Sequence, residues 1–489
     1  MAHIEFIDST MRDGQQSLWG MRMQAGMALP VAPVIDRTGY RVIDLTGSSY
    51  FEVLIRHCRE NPWEGLDLLV EAMPRTRLRA GMRSNAAVTF KVTPDALMDA
   101  WMRQLNRHGC RSFWIYDVLY NIDKMHRLAK VAKEFGSEVA ATIMYFETPV
   151  HTVEYLADKV DKLASSPDVD TILLYDTAGA LDRARLEVLI PALIKKAHGK
   201  PLEFHSNNIL GMSAKAYLDA IDLGIHILHT ASRPMANSSS VPSTEIMVHN
   251  LQLLGHTHNL NKSLLPIVAD RFERVGNAAG FPVNQHNEYD VLAGKHQMPG
   301  GAMGTLKAQL AQHNMMNRLD EVLREMAQVR RELGYPGMAT PFSQLVAIQA
   351  VLNVVTGERY SVISDEVIQY AGEFYGKPAA PIDADILDRI MHAPRAREIL
   401  THPLEQPTIE ELRKHYGTND DDELILRALV PQSDIDKMRA AGPVKRDFPL
   451  LSSPELEQVA RLMRMTRVAN FEFRSPALSL SMHRASQSG

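Results

Sequence analysis

TILLYDTAGAL, residues 171–181, is an apolar run that ends abruptly in polar residues. The residues up to Leu174 predict a buried strand. Tyr175 and Asp176 stand at the polar end of this strand, before Gly179. Polar side chains that follow a buried strand are typical of the face that carries the active site in a (β/α)8 barrel. The stretch therefore predicts a barrel strand with a site at its end, and it places a tyrosine there.

The same pattern, a short apolar run followed by a charged helical stretch, recurs through roughly the first half of the chain. Strands are predicted at residues 4–10, 41–47, 78–85, 112–117, 139–146, 171–177, 202–208 and 226–232. Their spacing of roughly 30 residues, with a helix after each strand, predicts an α/β fold of the (β/α)8 TIM barrel type. A doubly wound open sheet is the structural alternative, but no G-x-G-x-x-G follows any early strand.

The pattern changes after the barrel. Helical spacing without strands predicts helices at 319–334 and 342–355, the second apolar enough to be buried. The acidic run NDDDE (419–423) is interpreted as a solvated loop, and residues 454–484 predict a helix followed by a small hairpin. These changes divide the chain into three parts: a barrel (1–295), an all-helical domain (296–400) and a C-terminal extension (401–489).

Composition excludes several classes of function. The formal net charge is −5 and no long basic run occurs, so nucleic acid is not an expected partner. The two cysteines, Cys58 and Cys110, cannot form a disulfide framework or a cysteine-based zinc site. We expect a cytoplasmic protein with no membrane insertion, because no signal-peptide pattern and no apolar run of about 20 residues is found.

Three groups of residues could carry chemistry at the predicted strand ends. The stretch 8–17 (DSTMRDGQQS) combines acids, an arginine and amides that could hold a small polar substrate, or it could be a helix cap with an exposed first turn. Arg83 ends an apolar strand and needs an anion, which is either a substrate or a structural partner. His205 and Asn207, in FHSNN (204–208), point to the same side of a strand and could hold a metal, although a lone core histidine is the simpler interpretation.

At these residues the sequence resembles the carboxyltransferase domain shared by pyruvate carboxylase, the oxaloacetate decarboxylase alpha chain and the transcarboxylase large subunit. The family's opening motif D-x-T-x-R-D-x-x-Q-S is matched by DSTMRDGQQS. Further similar blocks follow in the same order: NPWEGLDLLVEAMP, MRSNAAVTF, TPVHTVEYL, KHQMPGGAMGTL and ELGYPGMATPFSQLVAIQAVLNVVTGERY. The resemblance runs from residue 5 to around residue 395, and it implies a barrel followed by a helical funnel domain that covers its mouth.

The resemblance implies a carboxyltransferase subunit of a multi-subunit biotin-dependent carboxylase or decarboxylase. Such a subunit moves a carboxyl group between N1 of biotin and the methyl carbon of an enol-pyruvate, so pyruvate, oxaloacetate or a related keto acid is the expected substrate. No A-M-K-M-like tetrapeptide occurs, so biotin is expected on a separate carrier chain, with a separate biotin carboxylase subunit. A homo-oligomer is expected. Residues 454–484 loosely resemble the start of some biotin carrier proteins, and a capping appendage is equally open.

The resemblance also implies roles for individual residues. Arg12 and Gln16 would hold the keto oxygen, and Arg83 would complete the substrate pocket. Asp13 would be a ligand of the divalent metal. The family's threonine that shuttles a proton between biotin and the enolate corresponds to Ser239, which keeps the hydroxyl.

Two of the family's metal ligands are replaced. Tyr175 stands where the family has a carboxylated lysine, and His205-Ser206-Asn207 stands where it has H-x-H. Tyr175 cannot be carboxylated, and a neutral amide binds a divalent ion more weakly than imidazole. Asp13 and His205 remain as good ligands, which is fewer than a tight zinc or manganese site requires. A bound metal is therefore doubtful.

Three functions stay open at this point. In the first, a metal-free carboxyltransferase stabilises the enolate with Arg12, Arg83 and the Tyr175 hydroxyl. In the second, the fold survives as a catalytically inactive assembly subunit that docks a biotin carrier. The third is an aldol-type lyase of the wider barrel superfamily, against which the depleted ligand set and the helical block argue. We favour the first, because the arginines and a hydroxyl at Ser239 are all retained.

Overall fold

Eight parallel strands form a closed barrel in the computed structural model of the protein. The structure describes residues 1–86, 92–299, 303, 306, 310–311, 314–402, 404–450, 470–474 and 479–483. The strands are β1 (His3–Asp8), β2 (Val42–Gly47), β3 (Arg77–Arg83), β4 (Ser112–Tyr116), β5 (Glu138–Tyr145), β6 (Thr171–Asp176), β7 (Leu202–Ser206) and β8 (Ile227–Thr230). Each strand pairs with its successor, and β1 closes the ring by pairing with both β2 and β8. The predicted TIM barrel is confirmed.

Helices follow the strands around the outside of the barrel. They are α1 (Gln15–Trp19), α2 (Ala25–Ala28), α3 (Ala32–Ile35), α4 (Ser48–Val53), α5 (Pro62–Ala72), α6 (Asp95–Arg107), α7 (Ile122–Lys133), α8 (Val153–Ala164), α9 (Arg183–Lys196), α10 (Ser213–Asp222), α11 (Thr244–Leu253), α12 (Leu265–Ala279) and α13 (Val291–His296). Short π-helical turns (Thr10–Gly14, Leu54–Cys58), a 3-10 turn (Arg233–Met235) and an outer strand β9 (Thr257–His258) complete this part. Asn121 and Thr152 begin α7 and α8, because their side-chain oxygens accept backbone N–H groups of the first turn.

The helical region that follows lies against one end of the barrel. Its elements are a 3-10 turn (Met316–Arg318), α14 (Leu319–Glu332), α15 (Phe342–Thr356), α16 (Asp365–Ala371), α17 (Ala384–Met391) and α18 (Ala396–Leu400). The two helices predicted here are confirmed. Met338 and Phe342 share one apolar cluster with Trp114, Met144 and Tyr175 of the barrel, so this region packs over the barrel mouth. No helix in the described part of the chain has the length and apolar character that crossing a bilayer requires.

Three helices and a hairpin end the described chain: α19 (Ile409–Tyr416), α20 (Asp421–Leu429), α21 (Gln432–Ala440), β10 (Asn470–Arg474) and β11 (Ser479–His483). The predicted hairpin is confirmed by the antiparallel pairing of β10 and β11, and the helix predicted before it lies outside the described residues. The predicted loop at NDDDE is wrong. The Asp420 side chain accepts the backbone N–H groups of Asp422 and Glu423 and starts α20, whose first turn is stabilised by acidic residues.

The helices α19 to α21 are attached to the barrel wall. Leu412, Leu424 and Ile435 are buried in the same apolar cluster as the barrel core. Trp63 of α5 donates from its indole nitrogen to the carbonyl of Asp422 at 3.2 Å. This segment therefore shares its core with the barrel.

The loop after β6 holds Tyr175 in place through its neighbour Asp176. The buried Asp176 carboxylate accepts backbone N–H groups of the following turn, including those of Gly179 and Leu181, each at 2.9 Å. Gly179 has φ = +69°, and a Cβ there would lie 2.2 Å from the carbonyl oxygen of Asn207. Only glycine fits this turn. Asp176 thus has a structural role, and the preceding Tyr175 is fixed at the barrel mouth.

Candidate active site

The residues predicted as a site converge on one cavity at the barrel mouth. The cavity has a volume of about 680 Å³, and Thr340 and Gln344 of the helical region contribute to its lining. Seven of the eight predicted residues line it: Arg12, Asp13, Gln16, Arg83, Tyr175, Asn207 and Ser239. The eighth, His205, is fully buried and packs against Tyr175. The structure therefore brings the predicted residues together, while the role of each stays a prediction.

Arg12 brings a fixed positive charge to the cavity. It lies on the π-helical turn that follows β1, with 3% of its surface exposed. Its Nε donates to Asp44 Oδ2 at 3.1 Å, and its guanidinium carbon lies 4.8 Å from the centroid of the Trp114 ring. The ion pair and the aromatic face together hold the guanidinium in one orientation. A charge fixed in this way is suited to stabilising an anion that develops during a reaction.

Asp13 is held as a carboxylate beside Arg12. Its Oδ2 accepts hydrogen bonds from Asn207 Nδ2 at 3.0 Å, Ser240 Oγ at 3.1 Å and the backbone N–H of Val241 at 3.2 Å. Burial would raise the pKa of Asp13, but the neighbouring positive charge, including that of Arg12, and the hydrogen-bond donors outweigh burial and keep this pKa below its ordinary value. Asp13 therefore ties together the loops after β1, β7 and β8.

Tyr175 presents a neutral phenol. Its ring meets the His205 ring edge to face at 4.2 Å between centroids, and the Arg12 guanidinium carbon lies 5.9 Å from the Tyr175 centroid. Burial raises the pKa of the Tyr175 phenol, even though the charge and hydrogen bonding of Arg12 act to lower this pKa. The hydroxyl therefore stays protonated at neutral pH and can donate a hydrogen bond to an anion.

These residues do not fit a tight transition-metal site. Within the described residues, no group of three or more His, Cys, Asp or Glu side chains is arranged to hold a metal ion. Asn207 already donates its amide N–H to Asp13, and the protonated phenol of Tyr175 is a weak ligand. Only Asp13 and His205 are ligands of the usual kind, and a structural or catalytic zinc site has at least three from the protein.

Arg83 and Gln16 complete the polar wall of the cavity. Arg83 ends β3 with 2% of its surface exposed, and its Nη2 donates to Ser49 Oγ at 2.6 Å. The Gln16 side-chain oxygen lies 3.4 Å from the hydroxyl of Tyr50, which also donates to the carbonyl of Arg12. Two buried arginines in one small cavity favour a carboxylate as ligand.

The loop after β8 presents Ser239 differently from its two neighbours. Ser238 Oγ is 3.0 Å from Asn287 Oδ1, and Ser240 Oγ donates to Asp13 at 3.1 Å. Asn237 and Ser238 both have positive φ, at +63° and +53°, which makes a tight turn before Ser239. As a result, Ser239 lines the cavity while the flanking serines are bonded elsewhere.

Four residues that shape the site were assigned no individual role from the sequence. Trp114 and Asp44 fix Arg12, and Glu203 and His229 lie behind His205. Glu203 and His229 could have been noticed, since each is a polar residue within an apolar strand. Trp114 offers no such signal, because a tryptophan in a strand is ordinarily part of the core.

Comparison with solved structures identifies the fold. It matches the carboxyl transferase domain of pyruvate carboxylase from Rhizobium etli, solved with oxamate and biotin, with a TM-score of 0.82 over 92% of this chain and 80% of that one, at 22% sequence identity. Residues 294–463 match the family described as the conserved carboxylase domain. The fold is thus that of a carboxyltransferase barrel with its helical region.

Sequence relatives identify the family. The chain is 32% identical over 456 residues to a pyruvate carboxylase subunit of Methanocaldococcus jannaschii, covering 91% of this chain and 80% of the relative. It is 28% identical over 433 residues to the 2-oxoglutarate carboxylase large subunit of Hydrogenobacter thermophilus, covering 86% of this chain and 66% of the relative. The chain belongs to the family of biotin-dependent carboxyltransferases that includes these two carboxylase subunits.

Proposed function

We propose that this protein moves a carboxyl group between carboxybiotin, carried on a separate chain, and the carbon next to the carbonyl of a 2-keto acid such as pyruvate or oxaloacetate. The observation that carries the proposal is the single cavity lined by Arg12, Arg83, Tyr175 and Ser239. This set combines cations for a carboxylate, a donor for an oxyanion and a hydroxyl for proton transfer. Relatives named for carboxylation of pyruvate and of 2-oxoglutarate support a keto acid as the substrate class.

The chemistry begins with binding of the keto acid. Arg83 binds the substrate carboxylate, while Arg12 and Gln16 hold the keto oxygen. Loss of a proton from the neighbouring carbon puts negative charge on that oxygen, and fixed donors stabilise such charge most effectively in a cavity that excludes water. Biotin supplies or receives the carboxyl group at that carbon when its carrier docks.

Proton transfer is assigned to Ser239. Its hydroxyl can receive the proton from the substrate carbon and pass its own proton to the ureido nitrogen of biotin, so that no proton is left over. The turn that exposes Ser239, with its neighbours bonded to Asn287 and Asp13, supports this assignment. A positioned general acid–base group contributes about 10²- to 10⁴-fold to a rate.

The enolate is stabilised without a transition metal in this proposal. The Arg12 guanidinium and the Tyr175 hydroxyl supply the positive charge and the hydrogen bond that a metal would otherwise provide. Two observations support this assignment: the Tyr175 phenol is protonated, and Asp13 and His205 are too few ligands for a tight transition-metal site.

The expected partner subunits follow from the parts of the reaction that this chain does not carry out. We assign residues 1–295 to the carboxyltransferase barrel, 296–400 to the helical funnel domain and 401–489 to an extension that docks a carrier or another subunit. A biotin carrier protein and a biotin carboxylase subunit are the expected partners, in a complex that contains several copies of this chain. The naming of both relatives as single subunits of larger carboxylases supports such an assembly.

An inactive assembly subunit is the second candidate, because the replaced metal ligands also fit a site that has lost its activity. Exchange of the methyl protons of pyruvate with deuterated water, followed by NMR, separates the two without any carrier. Exchange that depends on this protein and is lost in Arg12→Met supports the enolate mechanism. Ser238→Ala is the matched control, since Ser238 is bonded to Asn287 outside the proposed chemistry. Binding of pyruvate without exchange, together with no carboxyl transfer from a carboxylated carrier, would favour the inactive subunit.

A further inference from the structure

A chain of four buried polar side chains crosses the barrel interior. Arg79 of β3 donates from Nη1 and Nη2 to Glu203 of β7 at 2.6 and 3.0 Å. His229 of β8 has Nε2 at 2.9 Å from Glu203 Oε2 and Nδ1 at 3.1 Å from Nδ1 of His205. None of the four has exposed surface. Because β3 and β7 are not neighbours, these four side chains occupy the space that apolar residues usually fill in such a barrel.

Glu203 determines where His229 carries its proton. The carboxylate accepts two bonds from Arg79 and one from Thr171 Oγ1 at 2.7 Å. A carboxylate only accepts hydrogen bonds, so His229 donates from Nε2. A neutral imidazole that donates from Nε2 has a lone pair on Nδ1, which can accept a hydrogen bond.

The contact with His229 also determines where His205 carries its proton. Its Nδ1 donates to His229, so its Nε2 carries the lone pair. The surroundings of Nε2 agree: it lies 3.5 Å from Asp13 Oδ1 and has no hydrogen-bond partner within the described part of the chain. An N–H group aimed at a carboxylate is normally drawn to about 2.7–2.9 Å. At 3.5 Å, His205 Nε2 does not make a normal hydrogen bond to Asp13, as expected if the proton is on Nδ1.

We propose that Glu203 and His229 are positioning residues that lock the His205 ring and, through it, the phenol of Tyr175. The Tyr175 ring is held between His205, at 4.2 Å between centroids, and Trp114, at 5.9 Å. A His205 ring anchored at Nδ1 cannot rotate away, so the phenol keeps its direction in the cavity. The role given to Tyr175 rests on the proposed function, whereas the proton position on His205 does not.

Substitutions at His229 test this series of hydrogen bonds. His229→Leu removes the acceptor for His205 Nδ1, and we expect kcat to fall by about 10- to 100-fold, the range for a misplaced catalytic group, with little change in keto-acid affinity. His229→Asn offers an amide oxygen near the position of Nδ1 and is expected to restore most of the rate. Thr171→Val is the matched control, because it removes one bond to Glu203 and keeps the His229 contact.

A double-mutant cycle distinguishes positioning from general stability. If His229 acts through Tyr175, then His229→Leu costs little further rate in a Tyr175→Phe background. Purely structural damage gives losses that add, and additive losses would overturn the link to Tyr175.

The proton position can be read in the resting, unaltered protein. Nitrogen-15 NMR of protein labelled at histidine, with the His205 signals identified by their absence in His205→Gln, is expected to show the proton on Nδ1. A proton on Nε2 would contradict the proposed series of hydrogen bonds from Arg79 to His205. This result stands whether or not the protein transfers carboxyl groups, so a failure of the positioning chain and a failure of the proposed function are distinguishable.

Discussion

Two walls of the cavity differ in how closely they follow the carboxyltransferase pattern. The wall formed after β1 and β3 keeps the residues expected from the resemblance, with Arg12 and Gln16 in DSTMRDGQQS and with Arg83. The wall formed after β6 and β7 has Tyr175 and Asn207 where a carboxylated lysine and a histidine are expected. The first wall carries two arginines, which suit an anion, and the second carries a phenol and an amide where the resemblance implies metal ligands.

The two arginines of the first wall are held by contacts outside the wall formed after β6 and β7. Arg12 is fixed by Asp44 and Arg83 by Ser49, and neither contact involves the residues after β6 or β7. Asp13 links the two walls, because it accepts a hydrogen bond from Asn207. Substitutions in the two walls should then cause different losses of carboxyl transfer or keto-acid affinity. The largest loss is expected for the proton carrier and the smallest for removal of metal ions.

Ser239→Ala should cause the largest loss, because neither wall can replace a proton carrier. We expect carboxyl transfer to fall by about 10²- to 10⁴-fold, with keto-acid binding and thermal stability nearly unchanged. Ser239→Thr should stay active, since it keeps the hydroxyl. The measurement is carboxyl transfer from the protein's own carrier, and full activity of the alanine variant would remove Ser239 from the mechanism.

Tyr175→Phe tests the wall after β6. Removing a hydrogen bond to a developing oxyanion costs about 10²- to 10³-fold in kcat elsewhere, and we expect a loss near the lower figure with KM almost unchanged. Steady-state kinetics separates the two constants. An unaltered kcat would show that the phenol does not contact the enolate and would leave Arg12 as its stabilising group.

Arg83→Lys tests the wall after β3. Lysine keeps the charge but loses the two-pronged geometry that suits a carboxylate. We expect keto-acid binding to weaken by roughly 1–3 kcal/mol, the range for hydrogen bonds to charged groups, as measured by calorimetric titration. Unchanged affinity in the folded variant would place the substrate carboxylate elsewhere.

Removing metal ions should have the smallest effect. After dialysis against a chelator, elemental analysis is expected to find no stoichiometric zinc or manganese, and activity should be retained. Tightly held metal at one ion per chain would contradict the metal-free proposal and would require ligands beyond Asp13 and His205.

Much of this fold was predictable because local patterns determine it. Apolar runs ended by polar residues marked all eight strands, and strand ends meet at one face of a barrel, so Arg12, Tyr175 and Ser239 were expected to lie together. The prediction for NDDDE failed because acidic residues suit both a solvated loop and the first turn of a helix. Only the cap formed by Asp420 separates the two cases.

The contacts behind the site were not predictable for a different reason. Arg79 and Glu203 are 124 residues apart, and their pairing depends on which inward side chains of non-neighbouring strands meet inside the barrel. Strand alternation indicates the face of each residue but not its partner across the interior. The same holds for Trp114 beneath Arg12, which only the assembled barrel reveals.

The attachment of α19 to α21 to the barrel bears on how the chain can be divided. Leu412, Leu424 and Ile435 belong to the same apolar core as the barrel. A shortened protein that stops at the end of the helical region would therefore expose an apolar surface of the barrel to solvent. Such a face invites self-association. The segment from α19 to α21 is therefore not an exchangeable module, and a chimaera that takes this segment from a homologue has to take the matching barrel surface with it.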